Sequence, residues 1–234
     1  MIVIAGIFFS FILSAQKIND PNAEVREAKN FHAIKLSSAF DVYITQSNEE
    51  SVAVSASEVK YRDEIEVKVE GGVLVIGLKK NNLLKRMNGK WKLKAYISFK
   101  NIDKLDVSGA CDIYVQGQIK EDNLKLILSG ASDLKGDFEV SKMDIDLSGA
   151  SDMTVKGITS NLKIEASGAS SFKGYDFKTD YCDAEASGAS SIQITVNKEL
   201  SARASGRSDL RYQGEGLIRD IKTSGLSSVA RARS

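Results

Sequence analysis

The chain has 234 residues, is 42% hydrophobic and 27% charged, and carries 32 Lys plus Arg against 31 Asp plus Glu, a formal net charge of +1. So even a balance excludes wholesale attraction to nucleic acid or to an anionic membrane, and charge has to be read locally. Eighteen glycines, one proline (Pro21) and 7% aromatic residues suit many short strands joined by tight turns.

Residues 2–13 contain no charged side chain, and the small Ser14 and Ala15 precede the polar Gln16. That is the pattern of a secretory signal peptide occupying residues 1–15, with cleavage expected after Ala15. The run is shorter than the ~20 apolar residues that cross a bilayer, which counts against the alternative of a permanent N-terminal anchor. No Cys follows it, so lipidation at a new N-terminal Cys is excluded. Residues 16–30 read as a linker, and the mature chain is expected to lack a transmembrane segment. The repeats run to Ser228 with no long sorting segment after them. The expected address is therefore periplasmic or outer-membrane-associated, with the cell surface open.

Residues 40–46, 51–57, 64–70, 73–79 and 92–99 alternate like antiparallel strands, with Gly71-Gly72 as a two-residue hairpin turn. Between the last two lies a basic stretch in which Lys79, Lys80, Lys85, Arg86, Lys90, Lys92 and Lys94 meet no acidic residue. Trp91 and Leu83-Leu84 stand among these cations. An aromatic ring can stack on a sugar while cations meet acidic groups, so Lys79, Lys80, Lys85, Arg86, Lys90, Trp91 and Lys92 are the candidate ligand-binding residues. A solvated loop accounts for the same charge run.

From residue 108 onward Ser-Gly recurs at 108, 129, 148, 167, 187, 205 and 224, in steps of 21, 19, 19, 20, 18 and 19 residues. Each copy reads as an alternating segment, then S-G-A-(S/C)-(D/S), then a short apolar pair. A degenerate copy lies at 37–44, where S-S-A-F-D-V-Y-I parallels S-G-A-C-D-I-Y-V. A period near 19 has room for about three short strands and their corners, and one repeat is then one turn of a parallel β-helix. A turn cannot bury its apolar column alone, and stacking supplies the core and the backbone hydrogen bonds. Propeller blades, the rival, need ~40 residues each. Alternation places Leu124, Leu126 and Leu128, then Met143, Ile145 and Leu147, on the inside, followed by columns that thin to Ala184, Ala186, Ala202 and Ala204. Lys104, Lys125, Asp144, Lys163 and Asp183 face outward as a ladder of mostly alternating sign. At the corner, Gly can take positive φ, Ala and Ser are small enough to stack, and Asp or Ser can bond the local backbone.

With F-D-V-Y-I-T-Q at 40–46, G-G-V-L-V-I at 71–76 and the S-G-A-S-D copies, the chain resembles the auto-transporter adhesin, head GIN domain family, common in Bacteroidetes. The likeness spans roughly residues 30–228. It implies a right-handed β-helix, an envelope location and an adhesin role, and it carries no site residue with it. The expected organisation is one domain over residues 31–234, with irregular strands at 31–100 and regular repeats from 101. A boundary near residue 100 is the alternative.

No catalytic set, metal site or cofactor is expected. Stacking aligns Asp112, Asp133 and Asp152 with Ser171, Ser191, Asp209 and Ser228, but calcium needs six to eight converging oxygens, and exposed Asx turns explain the column. His32, the single histidine, has no partner suggested by spacing. Cys111 falls at a corner and Cys182 on an inward column, about 19 Å apart at the strand spacing, beyond the ~7 Å Cα limit for a disulfide. The readings that remain are a non-catalytic envelope protein binding a polysaccharide or protein partner, a structural or stress-related component without a dedicated ligand, and a carbohydrate-active enzyme on a β-helix.

Overall fold

The computed structural model describes residues 20–79 and 91–232. The expected signal peptide and four of the candidate residues, Lys80, Lys85, Arg86 and Lys90, lie outside the described residues. Strands β1 (Glu24–Arg26), β2 (Ala33–Leu36), β3 (Phe40–Gln46) and β4 (Ser51–Ser55) are followed by a one-turn helix, α1 (Val59–Arg62). Then come β5 (Ile65–Glu70), β6 (Val73–Leu78), β7 (Leu93–Phe99) and β8 (Lys104–Val107). Five long strands form the regular part: β9 (Asp112–Leu128), β10 (Asp133–Leu147), β11 (Asp152–Ala166), β12 (Ser171–Ala186) and β13 (Ser191–Ala204). Strands β14 (Asp209–Gln213) and β15 (Leu217–Thr223) make one more turn, and β16 (Ser228–Arg231) begins the next. The result is nearly all β, a parallel solenoid of about seven turns with some 19 residues in each.

Each turn begins at a Ser-Gly corner, and the corners stack through backbone. Ala131 N–H donates to Gly109 C=O at 2.7 Å, Ala150 to Gly130 at 2.8 Å and Ala169 to Gly149 at 2.7 Å. Gly149 has φ +75, and a Cβ there would stand 2.4 Å from Gly130 O, so both conformation and space require glycine. In the degenerate first copy Ser38 takes the same place at φ +87 and accepts from Ala110 N–H at 2.7 Å. Inside the corner, Ser132, Ser151, Ser170, Ser190 and Ser208 are buried. Each hydroxyl donates to the carbonyl three residues back, at 3.1, 2.9, 2.8, 2.9 and 2.8 Å. The turn bond is therefore made by the fourth residue of the motif and not by the Asp after it. Asp152 and Asp209 instead pair with Lys173 (3.2 Å) and Arg211 (2.7 Å).

The expected inward columns are buried, from Leu124, Leu126 and Leu128 to Leu200, Ala202 and Ala204. Register places Leu126, Ile145, Ile164, Ala184 and Ala202 one above another. Two expectations need correction. A turn is one long strand bent at irregularities, not three short strands with separate corners, because the parallel ladder continues around the bends. The outward charges pair within a strand or diagonally: Lys125 with Asp146 at 2.8 Å and Lys163 with Glu165 at 2.7 Å. Asp144 stands between those two lysines and acts on them only through space.

Residues 31–100 are of mixed direction. The hairpin β5–β6 is antiparallel, as are β4 with β7 and β1 with β4. Strand β3, however, lies parallel to both β7 and β9, and β2 parallel to both β6 and β8. The alternating pattern fixes which face is buried but not the direction of the neighbour, which explains the difference. Both cysteines are free and buried.

Two outcomes follow. Ile145→Asp puts an unpaired carboxylate between Leu126 and Ile164 and should cost roughly 3 kcal/mol or more, whereas Asp144→Ala should stay within about 1 kcal/mol; thermal melts of both against the parent give the comparison. A thiol reagent should be ignored by the native protein and should titrate two thiols after denaturation without reductant, since burial pushes both Cys111 and Cys182 above the ordinary thiol range.

Candidate binding groove

Residues just after the corner alternate with the inward column and form a flat outer face. On it Tyr96, Tyr43 and Tyr114 share one column, followed in register by Lys135, Thr154, Lys173, Gln193 and Arg211. Two residues earlier runs the acidic column Asp41, Asp112, Asp133 and Asp152. The three tyrosine rings stack, with centroids 5.3 and 5.4 Å apart and planes inclined by 13° and 21°. Ring faces cover one another along the stack, so edges and hydroxyls point outward, and each stacked pair contributes about 0.5–1.5 kcal/mol.

Beyond Tyr114 the ladder breaks. Between the pairs Tyr114–Lys135 and Gln118–Asp137, strand β9 has Val115, Gln116 and Gly117 where β10 has Gly136 alone. This bulge bends the strand away from its neighbour and re-aims the side chains on either side. It opens a groove of about 720 Å³. Tyr114, Lys135 and Thr154 line one wall, and Gln118, Asp137 and Lys156 the other. The second wall is tied together: Gln118 Nε2 donates to Asp137 Oδ1 at 2.9 Å, and Lys156 Nζ lies 3.3 Å from Asp137 Oδ2. Lys135 has no ion pair among the described residues and is the cation left to a ligand. A neutral or acidic sugar could meet an aromatic edge and hydroxyl, a carboxylate, an amide and a free ammonium here.

The sequence-predicted site divides. Of its described members, Lys79 donates from Nζ to Asp63 C=O at 2.6 Å. Trp91 is half-buried against the core and stacks on Tyr61 with centroids 6.4 Å apart, so one ring face is already occupied. Lys92 and Trp91 edge a separate apolar groove of about 640 Å³ with Phe40 and Leu78. The groove at Tyr114 was not anticipated. Its signal was present in the parallel between D-V-Y-I at 41–44 and D-I-Y-V at 112–115, which already sets Tyr43 over Tyr114. A further groove of about 650 Å³, lined by Lys120, Glu139, Ser160 and Asp180, has no aromatic side chain.

His32 does have a partner: its Nδ1 lies 3.0 Å from Asp103 Oδ2, both side chains well exposed. Spacing could not reveal it because the two are 71 residues apart. No group of three or more His, Cys, Asp or Glu among the described residues is placed to hold a metal ion.

The fold and this groove define a parallel β-solenoid with an open groove on its outer face. The chain belongs to the family described as "Putative auto-transporter adhesin, head GIN domain", whose model matches residues 30–216. No curated protein matches it. Among solved structures it is similar to a putative adhesin from Bacteroides fragilis, at 16% identity and TM-score 0.83, covering 90% of this chain and 96% of the other. A putative adhesin from Parabacteroides merdae matches at 19% identity and TM-score 0.72, covering 90% and 95%. A putative lipid binding protein from Parabacteroides distasonis matches at 17% identity and TM-score 0.66, covering 92% and 98%. At these identities the likeness is one of fold. Membership of an adhesin family fits a non-catalytic, adhesin-like envelope role. No helix among the described residues is long and apolar enough to cross a membrane.

The far end of the tyrosine column is pinned by Asp20, whose Oδ2 accepts from Tyr96 Oη at 2.9 Å and lies 3.6 Å from Lys94 Nζ. Burial works upward on the Asp20 carboxyl, but hydrogen bonds from Tyr96 and the Asn22 N–H, with Lys94 nearby, bring it below the ordinary carboxylate range. A lowered folded-state pKa gives stability that is present above about pH 4 and lost as pH falls through the folded value. Asp20→Asn should therefore melt lower than the parent at pH 7, by roughly 1 kcal/mol, and the difference should shrink below pH 4. Melts across pH 2–7 check it.

Proposed function

We propose that this protein is a non-catalytic, adhesin-like component of the cell envelope that holds a polysaccharide in the groove beside Tyr114. The observation that carries the reading is the convergence of unlike polar groups and an aromatic edge, Tyr114, Lys135 and Thr154 facing Gln118, Asp137 and Lys156, at the bulge between β9 and β10. Ligand grooves combine a few placed polar groups with aromatic surface, and a corner column of identical carboxylates does not. The ladder of Tyr43, Tyr96 and Tyr114 prolongs the face on one side and Lys173 and Arg211 on the other, which suits an extended ligand better than a compact one. The basic stretch from Lys79 through Trp91 to Lys92 leads into β7, whose Lys94 and Tyr96 are on the same face, and is assigned a secondary, charge-based contact. Residues 31–234 act as one domain in this reading, since β2 and β3 pair directly with β8 and β9. Export through the N-terminal segment would deliver it to the periplasm or the outer membrane.

A glycan array with a parallel assay for released sugar tests the reading. Binding without turnover is expected, weakened at least about tenfold by Tyr114→Ala and by Asp137→Ala, with the Tyr114→Ala melt lowered only by the loss of its one stacked pair, about 0.5–1.5 kcal/mol. Asp144→Ala, on another face, should leave binding unchanged. Sugar release, or binding indifferent to both groove variants, would sink the proposal. Lipid vesicles form the comparison arm because one solved neighbour is described as lipid binding, and retention by vesicles alone would also overturn it.

A further inference from the structure

The two ends of the solenoid differ. At the first end, β4 crosses β7 antiparallel and β1 covers β4, while the hairpin β5–β6 lies against β2. The inward Val67 and Val69 of β5 are partly buried against the core. At the other end, β15 has β13 as its single partner and β16 has β14. The far edges of β15 and β16 therefore present unpaired backbone N–H and C=O groups among the described residues. The side chains that continue the inward columns are bare: Ile218 and Ile221 sit in register with Leu200 and Ala202, yet are 47% and 39% exposed. Of the eight large apolar side chains exposed among the described residues, four are at this end of the coil, with Leu217 at 73% and Leu226 at 76%.

Soluble proteins blunt such an edge with proline, an inward charge or a covering segment. Residues 217–231 contain no proline, and the inward positions of β15 carry no charge; on β16 the inward column ends in Arg231, above Tyr212, so the edge left unguarded is that of β15. Terminal turns of a repeat stack normally present a polar outer surface instead. A second clue selects the occupant. The register of β15 shifts at Arg219, so that Arg219 and Asp220 both lie outside between the inward Ile218 and Ile221. A strand of this pattern is complementary to itself when reversed. In an antiparallel pair centred between residues 219 and 220, Ile218 falls opposite Ile221 of the second copy, and Arg219 opposite Asp220 of the second copy. Inward residues meet inward and outward meet outward. Within one chain Arg219 meets both oxygens of Glu199, at 2.8 and 3.1 Å, and Asp220 lies 3.0 Å from Lys222; all are surface ion pairs, which can be exchanged for a partner's charges at small cost.

We infer that two copies of this chain associate end to end across a two-fold axis, pairing β15 antiparallel with β15 and closing the open end of the core. The symmetry is closed, so the product is a dimer and not a filament. Each groove at Tyr114 lies several turns from the contact, which leaves two recognition faces on one elongated particle. The inference is independent of what those grooves hold.

Sedimentation velocity of the purified chain across a concentration series, with melts as a folding control, tests it. A dimer dissociating below about 10 μM is expected, and a monomer persisting to about 100 μM overturns the inference. Ile221→Lys should weaken the dimer at least about 100-fold while the melt stays near the parent, and a dimer that survives it places the contact elsewhere. Arg219→Asp and Asp220→Arg should each weaken association about tenfold and restore it when combined. Failure of the combination to restore it overturns the two-fold register. These charge variants are exposed in the monomer, so they remain informative even where Ile221→Lys disturbs the last turn.

Discussion

The structure depends on the backbone hydrogen bond that passes from each Ser-Gly corner to the next. It repeats along the stack at 2.7–2.8 Å, from Ala131 on Gly109 to Leu226 on Gly206. It requires a glycine wherever the chain turns with positive φ over another glycine's carbonyl. With the corner fixed, residues just before and just after it fall into vertical columns whatever the length of the rest of the turn. Surplus residues are pushed to the far side. The step of 21 residues between the corners at 108 and 129 puts its two extra residues at the Val115–Gly117 bulge, and that is where the groove opens. The regular part of the repeat thus holds the fold, and its longest step opens the groove.

The core obeys the same columns. Before the corner the inward residues shrink along the stack, from Leu124, Leu126 and Leu128 to Cys182, Ala184 and Ala186. After the corner the opposing column compensates, running Ile113, Leu134, Met153 and then Phe172, with Phe177 also fully buried in the same turn. Small residues on one wall leave room for large ones on the other, which keeps interior density near that of close packing. Cys182 belongs to this exchange. It fills a place held by Leu162 and Met143 in the preceding turns, and its burial serves packing instead of redox chemistry.

Much of this was legible in the sequence because a 19-residue repeat states its own register. The copies at Ser129 and Ser148 align Leu126 with Ile145 without reference to any structure, and the degenerate copy at 37–44 aligns Asp41 with Asp112. What the repeat could not state was direction and surplus. Strand β3 alternates like any half-buried strand, and only tertiary contact shows that it runs parallel to β9 while β4 runs against β7. Tyr96 lies outside the repeat, so its place in the tyrosine column was invisible although Tyr43 and Tyr114 were aligned. Lys79 to Lys92 stood out by charge density, whereas the groove at Tyr114 draws two residues from each of three successive turns, a combination that no single stretch of sequence displays.

Stacking also grades stability along the coil. An interior turn such as that of β11 is paired on both edges for most of its length, while β15 and β16 at the end pair on one edge and the inward Ile218 and Ile221 of β15 are half bare. In a chain whose stability is a sum of turn and neighbour terms, the last turn loses one neighbour term entirely and opens first. The groove draws on β9, β10 and β11, each held between two parallel neighbours, so its walls are fixed by the part of the coil that frays last. A firmly held groove at the centre and an open edge at the end are therefore two results of one stacking rule, applied where each strand has two neighbours and where it has one.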